Sequence, residues 1–324
     1  MNSFIFTCGD INGIGPEIVI KSLNRITKRT KNKFIFICPA NVFFNNIKII
    51  KPLFDYELQK NLKTQSSAQV TILDLGCTRQ NIGKSTKYSG HASFNAIKLS
   101  YEIVKNKRTD AIITAPISKT ALGLAGINFP GHTEMYAKWT HSKNFVMVFL
   151  SKKINTALLT IHEPIKNVPK LLTPDSVKRK INTIINVLKV DLNIKLPKIA
   201  ILGLNPHAGE NGLIGKEEIE IINPIIKKYR NIDGPYSPDA FFGSKAYQNY
   251  DMVIGMYHDQ VLIPFKLLNF SSGVNYTAGL PIVRTSPDHG TAFNIAGKGI
   301  ADESSIYEAY KTAELILKNR NAGK

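Results

Sequence analysis

Residues 4–26 read FIFTCGDINGIGPEIVIKSLNRI, and this stretch indicates the fold class. Its apolar beginning predicts a strand over 4–8. A turn rich in glycine follows, and Pro16 suits the first turn of a helix predicted over 16–26. A strand that passes through a tight glycine turn directly into a helix is a building unit of α/β proteins.

The rest of the chain continues this alternation of short apolar runs and helix-like stretches. Many of the runs are apolar throughout, as expected of strands that are buried on both faces. The alternation predicts an α/β protein with a largely parallel sheet. Strands are predicted at 4–8, 34–38, 70–75, 111–114, 145–150, 156–161, 199–204 and 252–256. Helices are predicted at 16–26, 91–105, 174–189, 216–228 and 304–319.

Length and composition limit the class of protein. The chain has 324 residues, which suggests two domains or one large one, and its 43% hydrophobic and 20% charged residues are those of an ordinary globular protein. Cys8, Cys38 and Cys77 form no CxxC pair, so we expect a reduced, cytoplasmic setting. No apolar run reaches the ~18 residues of a membrane span, and the first residues lack the basic start of a signal peptide.

The net charge of +18 raises the question of nucleic-acid binding. Of the 42 basic residues 34 are lysines, and they are scattered rather than gathered in blocks or interleaved with aromatic residues. Isoleucine (42) and asparagine (28) are also abundant, which indicates a compositional bias of the whole chain. We therefore expect neither a nucleic-acid nor a membrane partner, although the excess charge can still attract anionic substrates.

Three of the seven histidines share one position in the pattern. His162 follows TALLTI, His207 follows AILGLNP and His258 follows MVIGMY, so each comes just after a predicted apolar strand. In open α/β sheets the carboxyl ends of the strands line the ligand crevice, and three imidazoles meeting there suit a divalent metal with one open position. Glu210 and Asp259 are placed to orient the rings. The alternative is that each histidine is an ordinary polar loop residue.

Two further segments carry groups that suit an anion. His132 in FPGHTE either belongs to an anion site or marks a helix start that Thr133 caps. Lys266, Asn275 and Arg284 lie within PFKLLNFSSGVNYTAGLPIVRTS. Together they suit a phosphate or carboxylate, whereas each alone could be an ordinary surface residue.

The first glycine-rich turn matches neither common phosphate-binding fingerprint. In CGDINGIGPEI, Ile18 stands where the dinucleotide motif has its third glycine, and no GK[ST] follows for a P-loop. A helix N-terminus after this turn could face an anion, and a tight strand–helix turn explains Gly9, Gly13 and Gly15 equally well. The segment PDHGTAFNIAGKGIADESS before the last predicted helix is long, polar and rich in glycine, as functional loops often are.

Taken in order along nearly the whole chain, these motifs resemble the 4-hydroxythreonine-4-phosphate dehydrogenase family of pyridoxal-phosphate biosynthesis. The resemblance is carried by GDINGIGPEI, TAPISK, FPGHTE, LNPHAGENG, GPYSPDAFF, YDMVIGMYHDQ and VNYTAGLPIVRTSPDHGTAFNIAGKGIAD. It implies the two-domain α/β/α sandwich of the isocitrate and isopropylmalate dehydrogenase-like fold, with an active-site cleft between the domains. A dinucleotide-binding domain would comprise 1–125 plus 262–324, and a central metal, substrate and dimerisation domain would comprise 126–261.

The resemblance also implies roles for individual residues. The ligands of a divalent metal (zinc, magnesium or cobalt), in a site shared between the two subunits of a homodimer, fall on His162, His207 and His258. The positions that bind the substrate fall on His132, Thr133, Lys266, Asn275 and Arg284. The catalytic candidates are Asp239, Asp259 and Lys266. The loop for NAD or NADP contains His289, Gly290, Asn294, Gly297, Gly299 and Asp302.

The implied reaction is the NAD(P)-dependent oxidation of 4-phosphooxy-L-threonine to a β-keto acid, which loses carbon dioxide to give 3-amino-2-oxopropyl phosphate. A dehydrogenase of a four-carbon sugar-acid phosphate, D-threonate or D-erythronate 4-phosphate, is the nearest alternative. A non-catalytic or acyl-transferring protein of the same fold is a more distant one, and the complete histidine set argues against it.

The sequence departs from the family pattern at three positions. Ile11 and Asn12 stand where proline and alanine are usual, and neither position supplies a group that the reaction needs. Glu163 stands where we expect an apolar residue. Because a carboxylate follows His162 directly, this departure bears on which metal is preferred.

Overall fold

The computed structural model describes residues 2–64, 66–106, 109–269 and 271–322. By its internal contacts the chain divides into two compact units. The first comprises Met1–Thr140 and Pro281–Leu317, and the second comprises His141–Leu280 and Lys318–Lys324. Within the described ranges, no helix is both long and apolar enough to cross a membrane.

The strands of the first unit all run parallel. Its described residues form β1 (Ser3–Thr7), β2 (Lys33–Cys38), β3 (Tyr56–Gln59), β4 (Val70–Asp74), β5 (Ala111–Thr114) and β12 (Val283–Pro287). These pair in the order β3-β4-β2-β1-β5-β12, and each pair is parallel. The helices are α1 (Gly15–Ile26), α2 (Ala40–Ile47), α3 (Lys87–Lys105), α4 (Lys119–Leu124) and α5 (His132–Trp139). Helix α11 (Ser304–Ala322) belongs to this unit as far as Leu317.

Aromatic side chains attach α11 to this set of strands. Phe4 and Phe6 of β1 and Phe34 of β2 surround Tyr310 of α11, and the ring centroids of Phe4 and Tyr310 are 4.9 Å apart. All four side chains are buried. Because burial of one large apolar side chain contributes roughly 1.5–3 kcal/mol, this cluster contributes to the unit's stability.

The strands of the second unit include one that runs against its neighbours. Its described residues form β6 (Val146–Leu150), β7 (Thr156–Leu158), β8 (Ile199–Leu202), β9 (Ile232–Tyr236), β10 (Met252–Gly255) and β11 (Val274–Ala278), in the order β11-β6-β7-β10-β8-β9. β6 is antiparallel to both β11 and β7, and the other pairs are parallel.

The helical segments of the second unit are short. The α-helices are α6 (Val168–Leu171), α7 (Pro174–Asn186), α8 (Asn223–Ile226), α9 (Pro238–Gly243) and α10 (His258–Asn269). The 3₁₀ segments are Ile165–Asn167 and Ala246–Asn249, and the π-helical turns are Val187–Asp191 and Glu218–Ile222. The segment Pro206–Gly212 contains residues with positive φ and is not a regular helix. Phe149 of β6 and Phe265 of α10 lie in the core, with ring centroids 5.6 Å apart.

The α/β prediction and the largely parallel pairing are confirmed, and each of the eight predicted strands is present. The sequence missed β3, β9, β11 and β12, because polar residues interrupt their apolar pattern. In β12, for example, Arg284, Thr285 and Ser286 are all buried. The helices predicted at 174–189 and 216–228 exist in part, since each contains a π-helical turn.

The predicted start of the helix at 91–105 was also wrong. His91 does not open it, because α3 starts four residues earlier at Lys87. Thr86 and Ser89 form a reciprocal cap there: Thr86 Oγ1 accepts from the Ser89 N–H at 3.1 Å, and Ser89 Oγ accepts from the Thr86 N–H at 3.2 Å.

Candidate active site

The first unit encloses a positive charge. Arg284, the second residue of β12, is 1% exposed, and its Nε donates to Thr114 Oγ1 of the neighbouring strand β5 at 3.1 Å. Burial lowers the pKa of this guanidinium to about 10, while the nearby Tyr136 and Glu134 act in the opposite direction. Arg284 therefore stays protonated at neutral pH and can bind an oxyanion.

His132 lies beside this charge as the first residue of α5. Its Nε2 is enclosed and has no hydrogen-bond partner among the described residues. Burial, and then the charge of Arg284, hold the pKa of His132 well below its ordinary value, so the imidazole is neutral at neutral pH. The alternative role of Thr133 as a helix cap is wrong, because Gly131 occupies the cap position and Thr133 is a buried residue inside α5.

In the second unit, three neighbouring strands precede the three histidines selected from the sequence. β7 pairs with β10 and β10 pairs with β8, all parallel, so their carboxyl ends lie at one edge. His162, His207 and His258 stand in the segments that leave these strands. The strands end earlier than the sequence predicts, so each histidine lies a few residues beyond its strand.

His162 and His258 come together because hydrogen bonds join the segments that carry them. The Leu159 N–H donates to the Gly255 carbonyl at 2.9 Å, and Thr160 Oγ1 donates to the Met256 carbonyl at 2.6 Å. The ring centroids of His162 and His258 are 5.9 Å apart. The φ angle of His162 is +51°, an uncommon left-handed conformation of the kind that recurs at functional sites.

A carboxylate and a cavity accompany this histidine pair. Nδ1 of His258 is 2.7 Å from Oδ1 of Asp259 in the first turn of α10, which leaves Nε2 of His258 available for a ligand. Both histidines line a cavity of about 350 Å³ together with Glu163, Tyr257 and Asp259. Glu163, the acidic departure from the family pattern, therefore faces the same cavity.

His207 begins a left-handed turn of unusual length. Residues 207–211 all have positive φ, from +41° to +84°, and of the five only Gly209 is a glycine. The left-handed conformation costs roughly 1–2 kcal/mol for each ordinary residue, so surrounding contacts must hold the turn. Gln260 of α10 links the segment before this turn to the end of β10. Its Nε2 donates to the Gly203 carbonyl at 2.6 Å, and its Oε1 accepts from the Met256 N–H at 2.7 Å.

Among the described residues, no group of three or more His, Cys, Asp and Glu side chains is arranged to hold a metal ion. The structure brings His162 and His258 together at one cavity, and His207 is not among the described residues that line it. Asp239 lies exposed in the first turn of α9, where its Oδ1 accepts from Ser237 Oγ at 2.5 Å. That hydrogen bond is the main cause that lowers the pKa of Asp239, and the charge of His207 contributes to the lowering.

Lys266 and Asn275 are the remaining candidates in the second unit. Lys266 is exposed in the last turn of α10, and Asn275 is half-buried on β11. Oδ1 of Asn275 is enclosed and has no hydrogen-bond partner within the described ranges. This oxygen can accept a hydrogen bond from a bound ligand.

The glycine-rich loop with the proposed dinucleotide residues lies in the first unit, and helix α1 holds it. Lys21 Nζ donates to the carbonyls of Gly299 (2.9 Å) and Ala301 (2.7 Å) and pairs with Glu17 Oε1 at 2.9 Å. Glu17 Oε1 also accepts from the Ala301 N–H at 2.8 Å. At the loop's other end, the Ile14 N–H donates to the Thr291 carbonyl at 3.0 Å.

Several residues of that loop are open to solvent. Asn294 and Asp302 are exposed, and Asp302 Oδ1 accepts from the Ser304 N–H at 2.9 Å where α11 begins. His289 Nδ1 is 3.0 Å from the Gly290 carbonyl oxygen. The φ angles of Gly297 and Gly299 are +75° and +70°, conformations that favour glycine at these two turns.

Comparison with known proteins places the chain in a family. Residues 19–313 match the family model of the pyridoxal phosphate biosynthetic protein PdxA. The chain belongs to the PdxA family. A 4-hydroxythreonine-4-phosphate dehydrogenase of Sulfurihydrogenibium sp. is 39% identical to it over 99% of this chain and 100% of the relative. A D-threonate 4-phosphate dehydrogenase of Cupriavidus necator is 37% identical over 96% of each chain.

Solved structures agree with this assignment. A crystal structure of 4-hydroxythreonine-4-phosphate dehydrogenase from Klebsiella pneumoniae matches with a TM-score of 0.82 and 33% identity, over 98% of this PdxA-family chain and 100% of that chain. A β-decarboxylating dehydrogenase from Thermococcus kodakarensis, only 11% identical, matches with a TM-score of 0.50 and shares the fold. The chain is thus a member of a dehydrogenase family with the fold that the resemblance implied.

Sequence reasoning missed the residues that hold the site segments in place. Glu17 and Lys21 are four residues apart on one helix, a spacing typical of an exposed ion pair, and nothing local signals that Glu17 is buried. Gln260 lies two residues after His258 in the quoted motif, but its bonding partners lie on two different strand ends. These hydrogen-bond partners can be identified only from the three-dimensional structure.

Proposed function

We propose that this PdxA-family chain oxidises 4-phosphooxy-L-threonine with NAD or NADP, and that the resulting β-keto acid loses carbon dioxide to give 3-amino-2-oxopropyl phosphate in pyridoxine 5′-phosphate biosynthesis. The observation that carries the proposal is the side-by-side order of β7, β10 and β8, each followed by one of the three histidines. The full-length similarity to relatives named for this substrate supports it.

Two imidazoles of the second unit would contribute to the proposed divalent-metal site. His162 and His258 offer imidazole nitrogens at one cavity. Asp259 hydrogen-bonds to Nδ1 of His258, the nitrogen that would not bind the metal, as carboxylates do beside metal-bound histidines. His207 would be the third ligand, in a site shared between the two subunits of a homodimer. When bound, zinc, magnesium or cobalt supplies Lewis-acid polarisation of the substrate's oxygen atoms.

The chain's own residues would bind and orient the substrate. Arg284 and the neutral His132 would hold one anionic group, with the Thr133 hydroxyl beside them. Lys266 would supply an ammonium for the other anionic group, and the enclosed Oδ1 of Asn275 suits the substrate's ammonium. Binding of the substrate's charged groups would fix its secondary alcohol against the nicotinamide, which accepts the hydride.

Two carboxylates are candidates for accepting the alcohol proton. The Ser237 hydroxyl stabilises the ionised form of Asp239 and so makes it a weaker base. Asp259 lies at the cavity that His162 and His258 line. This difference favours Asp259 as the base and leaves Asp239 a role near His207.

The loop that Glu17 and Lys21 hold would take the adenosine part of the dinucleotide. Its exposed polar groups, including Asn294 and Asp302, offer hydrogen bonds, and its glycines permit close approach of a ligand to the backbone. The residues proposed for this contact are His289, Gly290, Asn294, Gly297, Gly299 and Asp302.

The oxidation of D-threonate 4-phosphate is the second candidate. It is favoured by the 37% identity to the Cupriavidus necator protein of that name, which is close to the 39% found for the Sulfurihydrogenibium protein. Both substrates carry a phosphate, a carboxylate and a secondary alcohol, so the same set of residues would serve either.

The test follows the absorbance of reduced nicotinamide with purified protein, 4-phosphooxy-L-threonine and NAD or NADP, before and after chelation. We expect reduction that stops with chelator and returns with added metal. His207→Ala should lose both bound metal and turnover, whereas His91→Ala on the exposed side of α3 should keep both. Wild-type turnover by His207→Ala would show that the metal site is wrongly assigned.

A further inference from the structure

A buried carboxylate lies behind the turn that carries His207. Glu218 is 1% exposed and begins the π-helical turn Glu218–Ile222. Its Oε1 accepts from the backbone N–H groups of Leu204 (2.7 Å) and Asn205 (2.8 Å), and its Oε2 accepts from the side-chain amide of Asn205 (2.9 Å). Three N–H donors from the segment just before His207 therefore converge on one side chain.

The same carboxylate also packs against the turn itself. A Cβ atom at Gly209, in the middle of the left-handed residues, would lie 2.7 Å from Glu218 Oε2. A Cβ atom at Gly203, the first residue after β8, would lie 3.1 Å from Glu218 Oε1. Glu218 thus fills the space under both the start and the middle of the segment, and the two glycines allow the close approach.

We propose that Glu218 is a positioning residue that holds the left-handed turn 207–211 and thereby fixes the place of the His207 imidazole. A run of left-handed residues with a single glycine persists only where its surroundings determine it, and the carboxylate supplies the fixed contacts at its base. The inference rests on the proposed role of His207 as a metal ligand.

The chain offers a matched pair of substitutions. In Glu218→Gln the amide keeps the size of the carboxylate, but in either orientation an N–H group would face one of the donors from 204–205. Glu220 lies two residues further on the same π-helical turn and is exposed. Glu220→Gln therefore makes the same change of charge on the same element, away from the turn.

Two measurements on the full-length protein test the proposal. The first is zinc affinity, by competition with a chromophoric chelator. The second is hydrogen exchange of the metal-free protein over 203–214. We expect Glu218→Gln to bind zinc about 10–100-fold more weakly, the effect usual for residues that orient metal ligands. We also expect faster exchange confined to 203–214. Glu220→Gln should match the wild type in both.

Several outcomes separate the possible failures. Wild-type zinc affinity in Glu218→Gln, or equal effects of the two glutamine variants, would overturn the proposal. If Glu218→Gln does not fold, Asn205→Ala removes one of the three donors, and wild-type exchange and zinc affinity in it would overturn the proposal as well. If His207→Ala binds zinc like the wild type, the metal site is wrong, and the exchange measurement alone then decides whether Glu218 holds the turn.

Discussion

Replacement of Lys21 by methionine should loosen the glycine-rich loop from helix α1. The substitution keeps most of the side-chain volume and removes the ammonium group. That group makes three contacts, at 2.9 Å with Glu17 Oε1 and at 2.9 and 2.7 Å with the carbonyls of Gly299 and Ala301. Among the described residues, the Glu17 carboxylate, 2% exposed, would keep only the Ala301 N–H as a partner.

The size of the effect follows from these contacts. Removing one partner of a buried ion pair costs roughly 3–5 kcal/mol, because the other charge stays buried. Lys21 is 20% exposed, so water can replace part of the loss, and we expect the low end, about 3 kcal/mol. In a domain of this size that corresponds to a fall in Tm of about 6–12 °C.

Calorimetric unfolding and titration with NADH measure the two consequences. A loss of about 1.4 kcal/mol in binding free energy raises a dissociation constant about tenfold, and the loss expected from the Lys21 contacts is larger than that. The dissociation constant for the dinucleotide should therefore rise at least about tenfold. Lys28→Met is the matched control, since Lys28 is exposed just after α1. Equal Tm values and equal NADH affinities for the two variants would refute the reasoning.

Three further predictions concern single residues of the first unit. The pKa of His132 is held well below its ordinary value, so wild-type stability should be full above about pH 6.5, the ordinary pKa, and should fall as the pH drops towards the folded-state value. His132→Gln should lose less stability between pH 7.5 and 5.5 by urea unfolding, and equal losses would contradict this. Thr86→Ala removes the cap of α3 and should cost about 1 kcal/mol, whereas an unchanged urea midpoint would speak against the cap. Asn12→Ala restores the residue usual in the family pattern but removes side-chain hydrogen bonds to the Lys84 carbonyl and from the Asn81 N–H. At about 0.5–1.5 kcal/mol for each of these two bonds, a loss of about 1–3 kcal/mol is expected, and a gain in Tm would disprove it.

Much of the framework could be predicted from local sequence because it depends on local pattern. The run FIFTC and the other apolar runs reveal buried strands without knowledge of their neighbours. The histidines could be selected because parallel strands share one edge for their carboxyl ends, and the order of β7, β10 and β8 agrees with that selection. That rule alone predicts that His162 and His258 lie close together.

The remaining features depend on contacts between distant segments. Lys21 and Ala301 are 280 positions apart in sequence, and no property of either segment indicates that they meet. The left-handed conformation of residues 207–211 is equally hidden, because one glycine in these five residues gives little sign of it and Glu218 supports it from a later element. The strands β11 and β12 carry polar residues whose burial depends on partners elsewhere, such as Arg284 with Thr114.

The most direct test of the proposed function is a side-by-side comparison of 4-phosphooxy-L-threonine and D-threonate 4-phosphate as substrates, with zinc-loaded protein and saturating NAD or NADP. Product masses and released carbon dioxide are measured together with kcat/KM. We predict that 4-phosphooxy-L-threonine gives the higher kcat/KM and yields one carbon dioxide and one 3-amino-2-oxopropyl phosphate for each reduced nicotinamide. A higher kcat/KM for D-threonate 4-phosphate, or reduction without decarboxylation, would contradict the assignment.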